Sequence, residues 1–215
     1  MNVILLGAPG AGKGTQARMI CRVLGIPQVS TGEIIRSAIR DRSELGLELR
    51  AYANAGSLVP DALVNRLVES RLAERDCAGG FLLDGYPRTL AQAEWLDAAL
   101  ASHGRGIDHV ISLELDDADL LARITGRRTD PATGRVYHLT FDPPPADIAP
   151  RLVQRADDTE AVLRRRLAEY RQKTAPIIPH YERRGLLRRV DGGGAIADIK
   201  RRVLESLGVG ESAVS

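Results

Sequence analysis

Gly7-Ala8-Pro9-Gly10-Ala11-Gly12-Lys13-Gly14-Thr15 follows a short apolar run, Val3-Ile4-Leu5-Leu6, and precedes a segment that reads as helix from Thr15 to about Leu24. Strand, glycine loop and helix, in that order, turn a glycine pattern into a cradle for phosphate. The glycines let the backbone fold back with its N–H groups pointing inward, and the positive end of the helix dipole reinforces them. Lys13 can then bridge the outer phosphates of a nucleoside triphosphate. Lysine occurs only at 13, 173 and 200, and arginine supplies the rest of the positive charge. A compact ammonium therefore stands at the one tight position where a planar guanidinium fits a ring of amides less well. After Gly-Lys the usual hydroxyl residue is replaced by Gly14, and Thr15 comes one later. That order points to a metal held largely through water rather than by a direct Thr–Mg²⁺ bond.

A second apolar run, Gly80-Phe81-Leu82-Leu83-Asp84-Gly85, ends in a carboxylate. In open parallel sheets the carboxyl ends of the strands face the ligand crevice. A carboxylate placed there beside a phosphate loop suits Mg²⁺, which takes oxygen ligands and keeps several waters. Ile26 to Ser30, His109 to Leu115 and Leu186 to Asp191 read as further strands. The fold class is α/β, a single domain over 1–215 built on a parallel sheet flanked by helices, with two insertions.

The first insertion, about 30–59, has little strand signal and reads as helical. Ser30 and Glu33 have capping-box spacing, a helical pair is expected over Glu44 to Ala55 and Ala62 to Glu74, and Asp61 is the expected cap of the second. The other insertion, 126–158, changes texture. Thr129 to Arg135 reads as a turn, Val136 to Phe141 alternates like a half-exposed strand, and Asp142-Pro143-Pro144-Pro145 stops it. Such a piece within an α/β domain reads as a flap, with His138 packing in it. Asp116 and Asp119 open a helix on which Arg123 and Arg127, four apart, share a face. One long helix is expected from Asp158 to Arg183, with Arg166, Tyr170 and Lys173 on a common side. Leu90 to Leu100 and Ala195 to Leu207 complete the helices, and 208–215 reads as a frayed tail.

Formal charge is +2 and aromatic residues make up 4% of the chain, so neither a basic field nor a stacking platform argues for nucleic acid. No apolar run approaches a membrane span, and the N-terminal run is too short for a signal peptide. Cys21 and Cys77 are isolated and read as buried small hydrophobes. Together these features fit a cytoplasmic enzyme without disulfides or structural zinc.

The motifs resemble an adenylate kinase nearly end to end. Gly7 to Thr15 is similar to that family's phosphate loop. Ser30-Thr31-Gly32 with Arg36 is similar to its monophosphate pocket, and Asp84-Gly85-Tyr86-Pro87-Arg88 to its signature segment. Gly126-Arg127-Arg128 and Gly134 to His138 resemble its lid, and Arg155 to Asp158 with Arg166 its catalytic arginine region. The resemblance implies phosphoryl transfer from MgATP to AMP by a monomer, with 30–59 as the AMP segment and 126–158 as a short, zinc-free lid. It implies that Gly10, Ala11, Gly12, Lys13, Gly14, Thr15, Arg127, Val136, Tyr137 and Gly194 hold ATP. Thr31, Arg36, Ser57, Leu58, Val59, Gly85, Tyr86, Pro87, Arg88, Gln92, Arg155 and Arg166 would hold AMP. Lys13, Arg88, Arg123, Arg155 and Arg166 would surround the transferring group, with Asp84 near Mg²⁺.

Kinases for UMP, CMP or GMP remain the nearest alternatives, to be separated by comparing acceptors. A nucleotide-dependent switch is a further one. Against it, the chain lacks a guanine-reading Asn-Lys-x-Asp set and carries more scattered arginines than a switch needs.

Overall fold

The computed structural model describes residues 1–40, 46–49, 52, 59–155 and 158–210. Five strands form a parallel sheet: β1 (Asn2–Gly7), β2 (Gln28–Ser30), β3 (Phe81–Asp84), β4 (His109–Glu114) and β7 (Leu187–Asp191), in the order β2-β3-β1-β4-β7. Two more, β5 (Arg127–Thr129) and β6 (Val136–His138), pair antiparallel as a separate hairpin. The helices are α1 (Lys13–Leu24), α2 (Thr31–Arg40), α3 (Asp61–Leu72), α4 (Leu90–Ser102), α5 (Asp117–Thr125), α6 (Glu160–Glu169), α7 (Ile177–Glu182) and α8 (Ile196–Ser206).

All six residues of β1 are buried. A strand covered on both faces reads as a continuous apolar run, which is what Val3 to Leu6 supplies. Because successive side chains alternate across a strand, Val3 and Leu5 enter one hydrophobic cluster with Ile20, Leu82, Ile111 and Val203. Ile4 and Leu6 enter the other, with Val29, Leu83, Val110 and Tyr181. Leu5 lies opposite Asp84, Ser30 also pairs with Asp84, and Gly7 pairs with Leu113. The glycine loop, Ser30 and Asp84 therefore leave the same edge of the sheet.

Three sequence expectations change. The helix over 158–183 is broken: α6 passes into a π-helical turn at Tyr170–Thr174, and α7 begins only after Pro176. The extra residue per turn shifts the register beyond Arg166, and the prolines remove backbone donors. Arg127 is not on the helix of Arg123, because α5 ends at Thr125 and Arg127 opens β5. Asp61 is the first residue of α3, not its cap, which is Pro60. The expected helix over Glu44 to Ala55 falls mostly outside the described residues, as do Ser57 and Leu58.

Candidate active site

The loop after β1 is shaped by left-handed backbone. Gly10 has φ 92° and Gly12, the N-cap of α1, has φ 86°. A side chain at Gly10 would also come within 2.9 Å of the Leu120 carbonyl oxygen. Glycine is required there on both counts. Lys13 Nζ donates to the carbonyls of Gly7 at 2.7 Å and Ala8 at 3.0 Å, so the ammonium is folded over the loop it serves.

Burial lowers the Lys13 pKa to about 8. Asp84 opposes that shift, and Arg88, Arg166 and Arg127 add to it. Asp84 moves the other way: burial raises its carboxyl above the ordinary range, against the pull of Lys13 and a hydrogen bond from Gln28 Nε2 to Oδ2 at 2.9 Å. Gln28 escaped the sequence reading, since nothing in Ile26 to Ser30 shows that β2 will lie beside β3.

A cleft of about 1280 Å³ opens at this edge of the sheet. Gly10 to Thr15 form its floor, with Asp84 beside Gly14. Thr31, Arg36, Val59, Gly85, Arg88 and Gln92 line it as well. Thr31 Oγ1 donates to the Gly85 carbonyl at 2.9 Å, and Arg88 Nε donates to the same oxygen at 2.8 Å. Arg88 stays accessible to solvent but is ringed by protein, and desolvation, then the charge of Arg166, lowers its pKa. Tyr86 and Pro87 also line the cleft, joined by a cis peptide bond. The Tyr86 ring itself belongs to the core, and its hydroxyl donates to Asn65 Oδ1 at 2.6 Å. The hydroxyl of Tyr86 is thus engaged away from the cleft.

Arg127, Val136, Tyr137, Arg155, Arg166 and Gly194 belong to the same lining. Arg127 is paired with the fully buried carboxylate of Asp158, and Arg155 Nε donates to Thr129 Oγ1 at 3.1 Å. Arg123 also lines the cleft. Its guanidinium donates to the carbonyls of Gly192 at 2.7 Å and Ala11 at 3.3 Å and lies 5.8 Å from the Phe141 ring. It flanks the loop near Gly194 and is not among the main charges acting on Lys13.

The hairpin above the cleft is closed by Asp130, which is 1% exposed. Its carboxylate accepts from Arg151 Nε and Nη2, Thr133 Oγ1 and the Ala132 N–H at 2.7–3.0 Å. His138 packs within the hairpin as expected: Nδ1 accepts the N–H groups of Thr140 and Phe141, each at 3.0 Å, and the ring stacks on Phe141.

A family model described as adenylate kinase matches residues 5–186. The chain belongs to the adenylate kinase family. Membership carries the family's reaction, reversible phosphoryl transfer between ATP and AMP. The chain is 48% identical to an adenylate kinase of Fusobacterium nucleatum over 97% of its length and 99% of that protein's. It is 47% identical to an adenylate kinase of Geobacter sulfurreducens, covering 95% and 97% of the two chains, and 45% identical to one of Geotalea daltonii, covering 96% and 99%. These adenylate kinase relatives extend past the family match to take in β7, Gly194 and α8.

The donor set of this adenylate kinase fits Mg²⁺. Asp84 offers carboxylate oxygens beside the phosphate loop, and no group of three or more His, Cys, Asp or Glu able to hold a metal occurs among the described residues. One carboxylate beside a polyphosphate site suits a cation that keeps its waters. Among the described residues, no helix is long and apolar enough to cross a membrane.

Proposed function

We propose that the cleft holds MgATP and AMP on either side of Lys13 and that the chain, acting as a monomer in the cytoplasm, transfers the γ-phosphoryl group between them. The observation that carries this reading is the convergence of Lys13, Arg88, Arg127 and Arg166 from four separate segments onto one cleft.

In phosphoryl transfer the protein positions donor and acceptor and neutralises charge on the equatorial oxygens. On this reading the amides of Gly10 to Thr15 hold the donor phosphates and Lys13 leaves the Gly7 and Ala8 carbonyls to bridge the outer two. Arg88, Arg155 and Arg166 present N–H forks to the group in transit. Asp84 would hold Mg²⁺ through water, and the ion would supply charge neutralisation between the phosphates. Arg123, which the resemblance puts around the transferring group, would on this reading serve the donor end instead, since its guanidinium is bonded to the Gly192 and Ala11 carbonyls and lies 5.8 Å from the Phe141 ring. The acceptor is already an anionic oxygen, so no activated side-chain nucleophile is needed.

Thr31, Arg36, Val59, Gly85 and Arg88 would hold the acceptor, together with Ser57 and Leu58, and Gln92 would read its base. Segments 30–59 and 126–158 act as closing flaps. Closure excludes water, the competing acceptor, until AMP has bound. A coupled assay with MgATP and each monophosphate at equal concentration tests the assignment. AMP should be the preferred acceptor. A higher kcat/KM for UMP, CMP or GMP would overturn it.

A further inference from the structure

Gln92 is 3% exposed, and its amide is held at both ends. Oε1 accepts the Arg88 backbone N–H at 2.7 Å, and Nε2 donates to Asp61 Oδ1 at 2.7 Å. The other carboxylate oxygen of Asp61 accepts the Thr89 hydroxyl at 2.7 Å. Thr89 in turn caps α4, its oxygen accepting the Gln92 N–H at 3.1 Å. A backbone N–H only donates and a carboxylate only accepts. Turning the amide over would set donor against donor at Arg88 and acceptor against acceptor at Asp61. Its orientation is therefore dictated by its neighbours.

Each amide atom keeps one further bond: a lone pair on Oε1 and a hydrogen on Nε2. Gln92 lines the cleft, so an acceptor and a donor stand there in fixed order. A 6-aminopurine presents an exocyclic N–H beside the N1 lone pair and matches that order. A 6-oxopurine presents O6 beside N1–H and matches only the inverted amide. We propose that Asp61 is a positioning residue that sets the hydrogen-bonding polarity of Gln92, and through it the preference for a 6-aminopurine over a 6-oxopurine monophosphate. This rests on the reading of Gln92 as the group that meets the acceptor base.

The test compares kcat/KM for AMP and IMP, with saturating MgATP, in the wild-type chain and in Asp61→Asn, Thr89→Ala and Gln92→Ala. An asparagine at 61 can present either oxygen or nitrogen, so the inverted amide of Gln92 gains a partner there and is opposed only by the Arg88 N–H. The AMP-to-IMP ratio should fall by about tenfold in Asp61→Asn, consistent with the loss of one charge-assisted hydrogen bond, with kcat/KM for IMP rising in absolute terms. Thr89→Ala leaves Asp61 a pure acceptor and so keeps the amide polarity: its ratio should stay within threefold of wild type, and a fall as large as that of Asp61→Asn would assign the effect to lost packing or capping rather than to polarity and overturn the proposal. A merely structural role would lower both substrates together. If Asp61→Asn leaves the ratio within threefold of wild type while Gln92→Ala collapses it, the polarity role of Asp61 is overturned and the base-reading role of Gln92 stands. If Gln92→Ala also preserves the ratio, the base reading itself falls.

Discussion

The Lys13 ammonium donates to the Gly7 carbonyl at 2.7 Å, folding back over the glycine loop. The bond keeps a buried cation partnered, and burial still lowers its pKa to about 8. The ammonium form must be present to meet a polyphosphate. In the free enzyme that form is lost as pH climbs through 8, so kcat/KM for MgATP should decline above that value. Once phosphates are bound they favour the charged form, and kcat should hold to higher pH. Steady-state profiles from pH 6 to 10 check this; parallel decline of both parameters would count against it.

Arg88 and Arg166 influence each other and Lys13 from different segments. Replacing either by alanine should reduce kcat by roughly 10³ or more, the scale of a transition-state arginine, with circular dichroism unchanged. Arg123→Ala should act differently, since that guanidinium is bound to backbone beside the loop. Its expected signature is a raised KM for MgATP with a smaller effect on kcat. Near-wild-type turnover in Arg88→Ala or Arg166→Ala would refute their placement around the transferring group.

Asp130 is held well below the ordinary carboxylate range, first by its hydrogen bonds from Arg151 and then by those from Ala132 and Thr133. A depressed folded-state pKa stabilises above the unfolded value, near 3.9, and is lost as pH falls through the folded one. Hairpin protection should therefore be level from pH 7 to 5. In Asp130→Asn, amide exchange over residues 127–138 should accelerate while exchange in β1 is unchanged. Hydrogen exchange with mass spectrometry reads both regions in one experiment.

Closure predicts increased amide protection in α2 and in the β5–β6 hairpin when both nucleotides are bound, with β1 and β4 unaffected. Measurement with ATP alone, AMP alone and a linked bisubstrate mimic would separate the two flaps. Equal protection with and without ligands would sink the closing-flap reading.

Much of this architecture was legible because local pattern and burial agreed. Val3 to Leu6 is apolar on both faces and became the central strand. The glycines at 10 and 12 sit where the backbone is left-handed. Two features were hidden for one reason: side-chain direction settled by partners distant in sequence. Asp61 has the residue type and position of a cap, but Thr89 and Gln92 claim its oxygens. Gln28 meets Asp84 only because β2 and β3 pair. The break after Glu169 was hidden because Tyr170 to Thr174 remain helical in composition while widening into a π turn.

The position of β1 in the middle of the sheet has a thermal consequence. The phosphate cradle and Asp84 hang from adjacent inner strands, so heat cannot separate them without melting the innermost backbone ladder. The small hairpin over the cleft is tied down far less extensively. On warming, the hairpin should therefore loosen before the loop after β1 and Asp84 part.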